Sequence, residues 1–304
     1  MPVGAGVVPA PLVAGGRIAI VSPSGCIDPV LVDRGAEMLR CAGYDVVVGV
    51  HARSAHGRFA GTRAERLADL QAAFDDPLVR VVMCSRGGYG AVQLLRDLDL
   101  GGFMRSPKWV VGFSDITAIH ALLQANGCAS LHAPMLKHLV SCGWDDCCVR
   151  HLMEVLGGGC CEVACGAHPL NRAGEAVGVV RGGNLSVLAG LRGTWLDCVG
   201  EGTILFLEDV GERPYRIDRM LWNLELGGVF DRLAGLVVGQ FTGYEDDLTM
   251  GCGVYDLIAR MVRGRGYPVC FDFPVGHVDA NEPVVCGVRA RLSVDAAGAV
   301  LRQL

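Results

Sequence analysis

Basic character is the first thing this chain lacks. No long run of Lys or Arg occurs in its 304 residues, and 32 Asp plus Glu outnumber 27 Lys plus Arg, for a formal charge of −5. The electrostatic footprint of a nucleic-acid partner is therefore missing, and the weak acidity serves solubility. No stretch of about 18 uninterrupted apolar residues exists, so no transmembrane helix is expected. The apolar N-terminus MPVGAGVVPAPLVAGG is broken by prolines and has no basic start, which makes it a poor signal peptide; the cytoplasm is the expected location. None of the 14 Cys falls in a C-x-x-C spacing, which excludes the zinc-ribbon and thioredoxin patterns. The chain is also far longer than the usual disulfide scaffold, so most cysteines read as small apolar core residues in a reducing compartment. Neither G-x-x-x-x-G-K-[ST] nor G-x-G-x-x-G is present, which disfavours a phosphate cradle. Internal repeats and low-complexity tracts are absent as well.

What is there suits a globular enzyme-sized chain. Hydrophobic residues make up 51%, and 43 Gly imply many tight turns. At roughly 150 residues per domain, two domains are the default. In the first half, apolar runs alternate with helical patterns. RIAIVS (17–22), YDVVVGV (44–50), VRVVMCS (79–85) and WVVGF (109–113) read as strands. Residues 28–40, 62–74, 91–98 and 116–124 read as helices, with Thr62 and Glu65 at capping-box spacing. Continuous apolar strands alternating with amphipathic helices predict a parallel sheet covered on both faces. From residue 174 onward strands dominate: 176–180, 203–207, 235–241, 268–273 and 291–294, interrupted by helices at 215–226 and 254–263. The expectation is an α/β N-terminal domain over residues 1–150, a crossover over 151–173, no sustained period being visible over 141–168, and a smaller, strand-rich mixed domain over 174–304.

In open parallel sheets, ligands bind beyond the carboxyl ends of the strands. Three segments fall there: SPSG (22–25), SRGGYG (85–90) and FSD (113–115). Ser114 follows a buried strand and precedes a helix, the setting of a nucleophile elbow, although the second Gly of G-x-S-x-G is missing. The competing reading makes Ser114 or Asp115 a plain helix cap. Gly87, Gly88 and Gly90 permit close approach of backbone to a ligand, or merely form a turn. Of eight histidines, His120 reads as structural, His132 as a possible site residue, and His277 as a residue of the fixed loop FPVGH. Glu208 ends the apolar run ILFL; a half-buried carboxylate there needs a partner, either a histidine or one of Arg213 and Arg216.

Taken together, KWVVGFSDITAIH, SRGGYGAVQLL, GNLSVLAG, LFLEDVGERPYRIDRML and FPVGH resemble the LD-carboxypeptidase family of serine peptidases, which also contains the microcin C immunity peptidases. The resemblance runs from about residue 15 to the C-terminus. It implies a Ser-His-Glu triad of Ser114, His277 and Glu208, and an oxyanion hole from the backbone amides of Gly88 and Asp115. It also implies an acyl-enzyme mechanism without metal or cofactor. The implied substrate is a small muropeptide, a tetrapeptide whose terminal D-amino acid, D-alanine above all, is removed. Its carboxylate would be met by Arg86, Arg181 or Asn184, although Arg86 can instead brace its loop. The alternative within the family is cleavage of aminoacyl-nucleotide conjugates, where Trp144 or Trp195 could stack on a base. A non-enzymatic reading keeps only a small-anion-binding module. A homodimer, with no nucleic-acid or membrane partner, completes the expectation.

Overall fold

A computed structural model describes residues 4–245 and 247–304. Two compact units are resolved: one is Gly6–Gly159, and the other contains Cys160–Leu304.

In the first unit, β1 (Arg17–Val21), β2 (Asp45–Val48), β3 (Val79–Cys84), β4 (Trp109–Gly112) and β5 (Ser130–His132) form a parallel sheet in the order β5-β4-β3-β1-β2. The two central runs explain themselves: β4 is buried at every position and β3 at all but Arg80, as strands covered by helices must be. Six helices accompany them: α1 (Pro29–Cys41), α2 (Arg63–Asp75), α3 (Gly101–Arg105), α4 (Thr117–Ala125), α5 (Leu136–Cys142) and α6 (Cys147–Leu156). Asp28 caps α1, with Pro29 at its first position. The expected capping box on α2 is present in full, Thr62 accepting from Glu65 N and Glu65 from Thr62 N.

The second unit carries β6 (Glu162–Gly166), β7 (Gly174–Asn184), β8 (Thr203–Val210), β9 (Leu233–Thr242), β10 (Val269–Cys270), β11 (Val284–Cys286), β12 (Arg289–Val294) and β13 (Gly298–Gln303). Its sheet runs β10-β9-β8-β7-β12-β13-β6. The β10-β9-β8-β7 half is parallel and the β7-β12-β13-β6 half antiparallel. Helices α7 (Leu185–Leu191), α8 (Pro214–Leu226) and α9 (Val254–Met261) cover it. Leu205 and Leu207 of β8 share a core with Ile217, Leu221 and Leu224 of α8 and with Leu257 and Ile258 of α9. The α/β class, with one parallel sheet and one strand-rich mixed sheet, is as anticipated.

Three local expectations need correction. Residues 91–98 do not form an α-helix; Ala91–Gln93 is a 3-10 turn closed by Gln93 N–Gly90 O and Leu94 N–Ala91 O bonds. The Ala91 amide is already taken by the Asp115 carboxylate at 2.8 Å, which fixes the chain in a tight turn there. The strand expected over 268–273 stops at Cys270, because Asp272 adopts φ +59 and turns the backbone out of the ladder. The stretch without visible period contains α6, whose buried residues Cys148, Val149, Leu152, Val155 and Leu156 are helically spaced once cysteine counts as apolar. Only seven of the 14 cysteines are buried (Cys84, Cys128, Cys148, Cys161, Cys198, Cys270, Cys286), half rather than most.

Candidate active site

Two clusters matter, one in each unit. In the first, β4 ends at Gly112, and Phe113 is extended at φ −147. Ser114 then takes φ +64, one of two non-glycine residues with positive φ among those described. A non-glycine residue there is held by its surroundings against a steric cost of roughly 1–2 kcal/mol. The chain continues as a 3-10 turn, Ser114–Ile116, into α4. Neither Ser114 nor Asp115 caps α4 through its side chain, so the capping reading is set aside.

Asp115 does something else. Its Oδ2 accepts the Ser24 hydroxyl at 2.6 Å and the Ala91 amide at 2.8 Å. One buried carboxylate thereby joins the SPSG and SRGGYG loops to the residue after Ser114. Arg66, also buried, braces the same loops from behind: Nη1 donates to Pro23 O and Gly90 O, Nη2 to Gln93 Oε1. The Gly25 amide donates to Gly87 O at 3.1 Å. Gly87 approaches so closely that a Cβ on it would stand 2.8 Å from Ser114 Cβ and 3.1 Å from its Oγ. Glycine is required at that position by space. Gly88 follows at φ +122, against Gly25. Arg86 Nη1 donates to Cys26 O at 3.1 Å, so this guanidinium braces its loop.

His120 is buried, its Nε2 donating to Gly112 O at 2.8 Å, and burial pulls its pKa down to about 4; it is a neutral strut beneath the turn, as expected. His132 is also buried, its ring 5.7 Å from that of Phe113.

In the second unit, His277 Nδ1 and Glu208 Oε2 lie 2.7 Å apart. Glu208 is fully buried, and the rival Arg216 pairs with Glu212 instead. A carboxylate at that distance accepts a hydrogen bond from Nδ1–H, which keeps the proton on Nδ1 and leaves Nε2 with its lone pair. Glu208 sits at a bulge: Leu207 pairs Val238 but Asp209 pairs Phe241, so one residue of β8 faces two of β9. Such irregularities re-aim side chains. The loop presenting His277 is fitted to the carboxylate. Gly276 has φ +129, and a Cβ on it would meet Glu208 Cβ at 3.0 Å and Oε2 at 3.1 Å. Its amide donates to buried Asn281 Oδ1 at 2.8 Å, and Thr242 Oγ1 donates to His277 O.

Asn184 caps α7, its Oδ1 accepting from Ser186 Oγ and Val187 N, and its Nδ2 donates to Asp209 Oδ1. Asp209 also accepts the Ser186 and Val210 amides. Burial, and next to it the Glu208 carboxylate, push its pKa up to about 6. Arg181 is buried as well.

Ser24, Arg66, Asn281 and Asp209 were not singled out by sequence reasoning, and Asp115 was singled out as a cap or an oxyanion amide, not as a clamp through its side chain. SPSG had a visible signal as a strand-end loop; Arg66 had none, because one arginine on an amphipathic helix normally faces water. Among the described residues, the groupings able to hold a cation are His138–Cys142–Asp146 and Asp146–Cys147–Cys148, and neither includes Ser114, Glu208 or His277.

Residues 18–133 match the LD-carboxypeptidase N-terminal domain, and residues 177–292 the LD-carboxypeptidase C-terminal domain. A putative carboxypeptidase of Streptomyces coelicolor is 39% identical over 310 aligned positions, covering 94% of this chain and 93% of the relative. The murein tetrapeptide carboxypeptidase of Pseudomonas aeruginosa is 33% identical over 241 positions, covering 75% and 77%. The crystal structure of muramoyltetrapeptide carboxypeptidase from Oxalobacter formigenes superposes with a TM-score of 0.85 at 31% identity, covering 94% of this chain and 98% of that one.

Proposed function

This chain belongs to the LD-carboxypeptidase family, and from that premise we propose that it is a serine peptidase releasing a terminal D-amino acid, D-alanine above all, from muropeptide tetrapeptides. The observation that carries the reading is the Ser114 turn: a hydroxyl-bearing residue kept at φ +64 where a strand ends and a helix begins. A peptide-chain position of that kind persists only where the surroundings over-determine it.

The chemistry follows from the residues. Ser114 Oγ attacks the carbonyl carbon of the scissile amide, and His277 Nε2 takes its proton. Glu208, bonded to Nδ1 at 2.7 Å, holds the tautomer and stabilises the imidazolium. The backbone amides of Gly88 and Asp115 receive the oxyanion, each donor contributing about 2.7–4 kcal/mol by the usual measure. The imidazolium returns its proton to the leaving amine. Water, deprotonated by the same imidazole, then hydrolyses the acyl-enzyme. Glutamate serves in place of aspartate because the role is orientation and charge.

Substrate choice rests on the relatives, a murein tetrapeptide carboxypeptidase and a muramoyltetrapeptide carboxypeptidase. Arg86 and Asn184 act on the substrate through the backbone they position, since Arg86 holds the loop at Cys26 and Asn184 caps α7. We further propose a cytoplasmic homodimer.

The deciding assay incubates the protein with a tetrapeptide ending in D-alanine and follows release of the free amino acid. Turnover with the wild type and its loss in Ser114→Ala, His277→Ala and Glu208→Gln support the assignment. Undiminished turnover in Ser114→Ala overturns the serine mechanism. Preference for an aminoacyl-nucleotide conjugate in kcat/KM overturns the substrate but keeps the chemistry.

A further inference from the structure

The turn between α5 and α6 gathers side chains that the peptidase reading leaves unused. His138 and Cys142 lie one helical turn apart on α5, so both project from the same face. Gly143, at φ +79, ends the helix, and three residues later Asp146 starts α6, followed by Cys147 and Cys148. One ligand atom from each of His138, Cys142 and Asp146 lies within 4.8 Å of the others, and the same holds for Asp146, Cys147 and Cys148.

We propose that this turn binds one thiophilic divalent cation, of which zinc is the type, through His138, Cys142 and Asp146, with a solvent molecule as the fourth ligand. The spacings suit it. With metal–sulfur bonds of about 2.3 Å and metal–nitrogen or –oxygen bonds of about 2.0–2.2 Å, a tetrahedron has edges of about 3.3–3.8 Å. His138 Nε2 stands 3.3 Å from Asp146 Oδ1, and the Cys142 sulfur lies within 4.8 Å of both. The imidazole–carboxylate distance is long for a charge-assisted hydrogen bond, whose usual range is about 2.7–2.9 Å. The two side chains share a long hydrogen bond, and an ion between them would take its place on the same edge.

The surroundings support the same occupant. Asp146 Oδ1 accepts the Val149 amide at 3.0 Å, the kind of outer bond that orients a ligating carboxylate. Sulfur and imidazole ligands select zinc-like ions over magnesium or calcium. Cys142 is exposed, and His138 and Asp146 are about one-fifth exposed (19% and 21%), so an ion can enter from solvent. The site is structural: it fastens α5 to α6, and it stands apart from the residues assigned to catalysis.

The test uses full-length protein, reduced and stripped with EDTA, titrated with cobalt(II) alone. One equivalent should bind with the visible bands of a tetrahedral thiolate–cobalt centre, disappear on adding zinc, and raise the thermal midpoint. Cys142→Ser and His138→Ala should each weaken binding at least tenfold while leaving the EDTA-treated midpoint and the D-alanine-releasing activity unchanged. Should Cys142→Ser lower that midpoint, His138→Gln carries the comparison. Absence of a saturable tetrahedral spectrum, or equal binding in the wild type and both variants, overturns the proposal. Loss of peptidase turnover in EDTA overturns the claim that the site is separate from catalysis. Because these readouts are spectral and thermal, they stand whether or not the muropeptide assignment does.

Discussion

Replacing Ser114 by two different small residues separates strain from chemistry. At φ +64 any residue with a Cβ suffers, by roughly 1–2 kcal/mol, from the approach of that atom to its own carbonyl. Ser114→Ala removes the hydroxyl but keeps the Cβ, so it keeps the strain. Ser114→Gly removes both. Glycine also gains freedom in the unfolded chain, which sets back the folded state by about 0.5–1 kcal/mol. The difference between the two variants should therefore be a glycine advantage of the order of 1 kcal/mol. Gly87 adds to it, because its backbone crowds the Ser114 side chain and removal of the Cβ relaxes that contact. In a chain of this size such a difference moves a thermal midpoint by about 2–4 °C. Calorimetry should follow the transition of the Gly6–Gly159 unit, since two units need not melt together. Both variants should be inactive. A glycine variant no more stable than the alanine variant would refute the claim that Ser114 is held under strain, whatever happens to turnover.

Three other expectations follow from the same geometry. Asp115→Ala strands the Ser24 hydroxyl and the Ala91 amide, and at about 1.5–3 kcal/mol for each bond to a charged group it should lower stability by about 3 kcal/mol or more, read by urea unfolding, with turnover falling at least tenfold. Gly276→Ala places a methyl 3.0 Å from Glu208 Cβ in a backbone conformation that suits glycine, so kcat should drop by about a hundredfold or more while the fold survives by circular dichroism; near-normal kcat would show that the His277–Glu208 pair is not needed. Asp209 has a pKa raised to about 6 from an ordinary 3.8, so the folded state holds its proton more tightly than the unfolded chain. Its contribution is largest below pH 3.8 and is lost as pH rises through 6, by at most about 3 kcal/mol. Asp209→Asn should flatten that part of the stability–pH curve, and an unchanged slope would reassign it.

Strand positions in the parallel sheet were legible because burial on both sides demands continuous apolar runs, and β1, β3 and β4 have them. A cap was legible where chemistry is local: Thr62 with Glu65. Ser114 was visible as a polar residue at a strand end, Glu208 as a carboxyl directly after an apolar run, and His277 as a residue of the fixed loop FPVGH. The 3-10 turn at Ala91 was not legible, since its cause is a carboxylate 24 residues away in sequence. Nor was α6, whose apolar face is built partly of cysteine.

The amino-acid order by itself determined the alternation of strands and helices, because periodicity and capping act over a few residues. It also marked a hydroxyl at a strand end and a carboxyl after an apolar run, while the imidazole was assigned by the family resemblance. Tertiary structure alone decided that Asp115 would clamp two loops instead of capping a helix, that Ser114 would sit at positive φ, and that Glu208 would meet His277 and not Arg216. Each of those outcomes depends on groups brought together from distant parts of the chain, and the free energy of such contacts is written in no local run of residues.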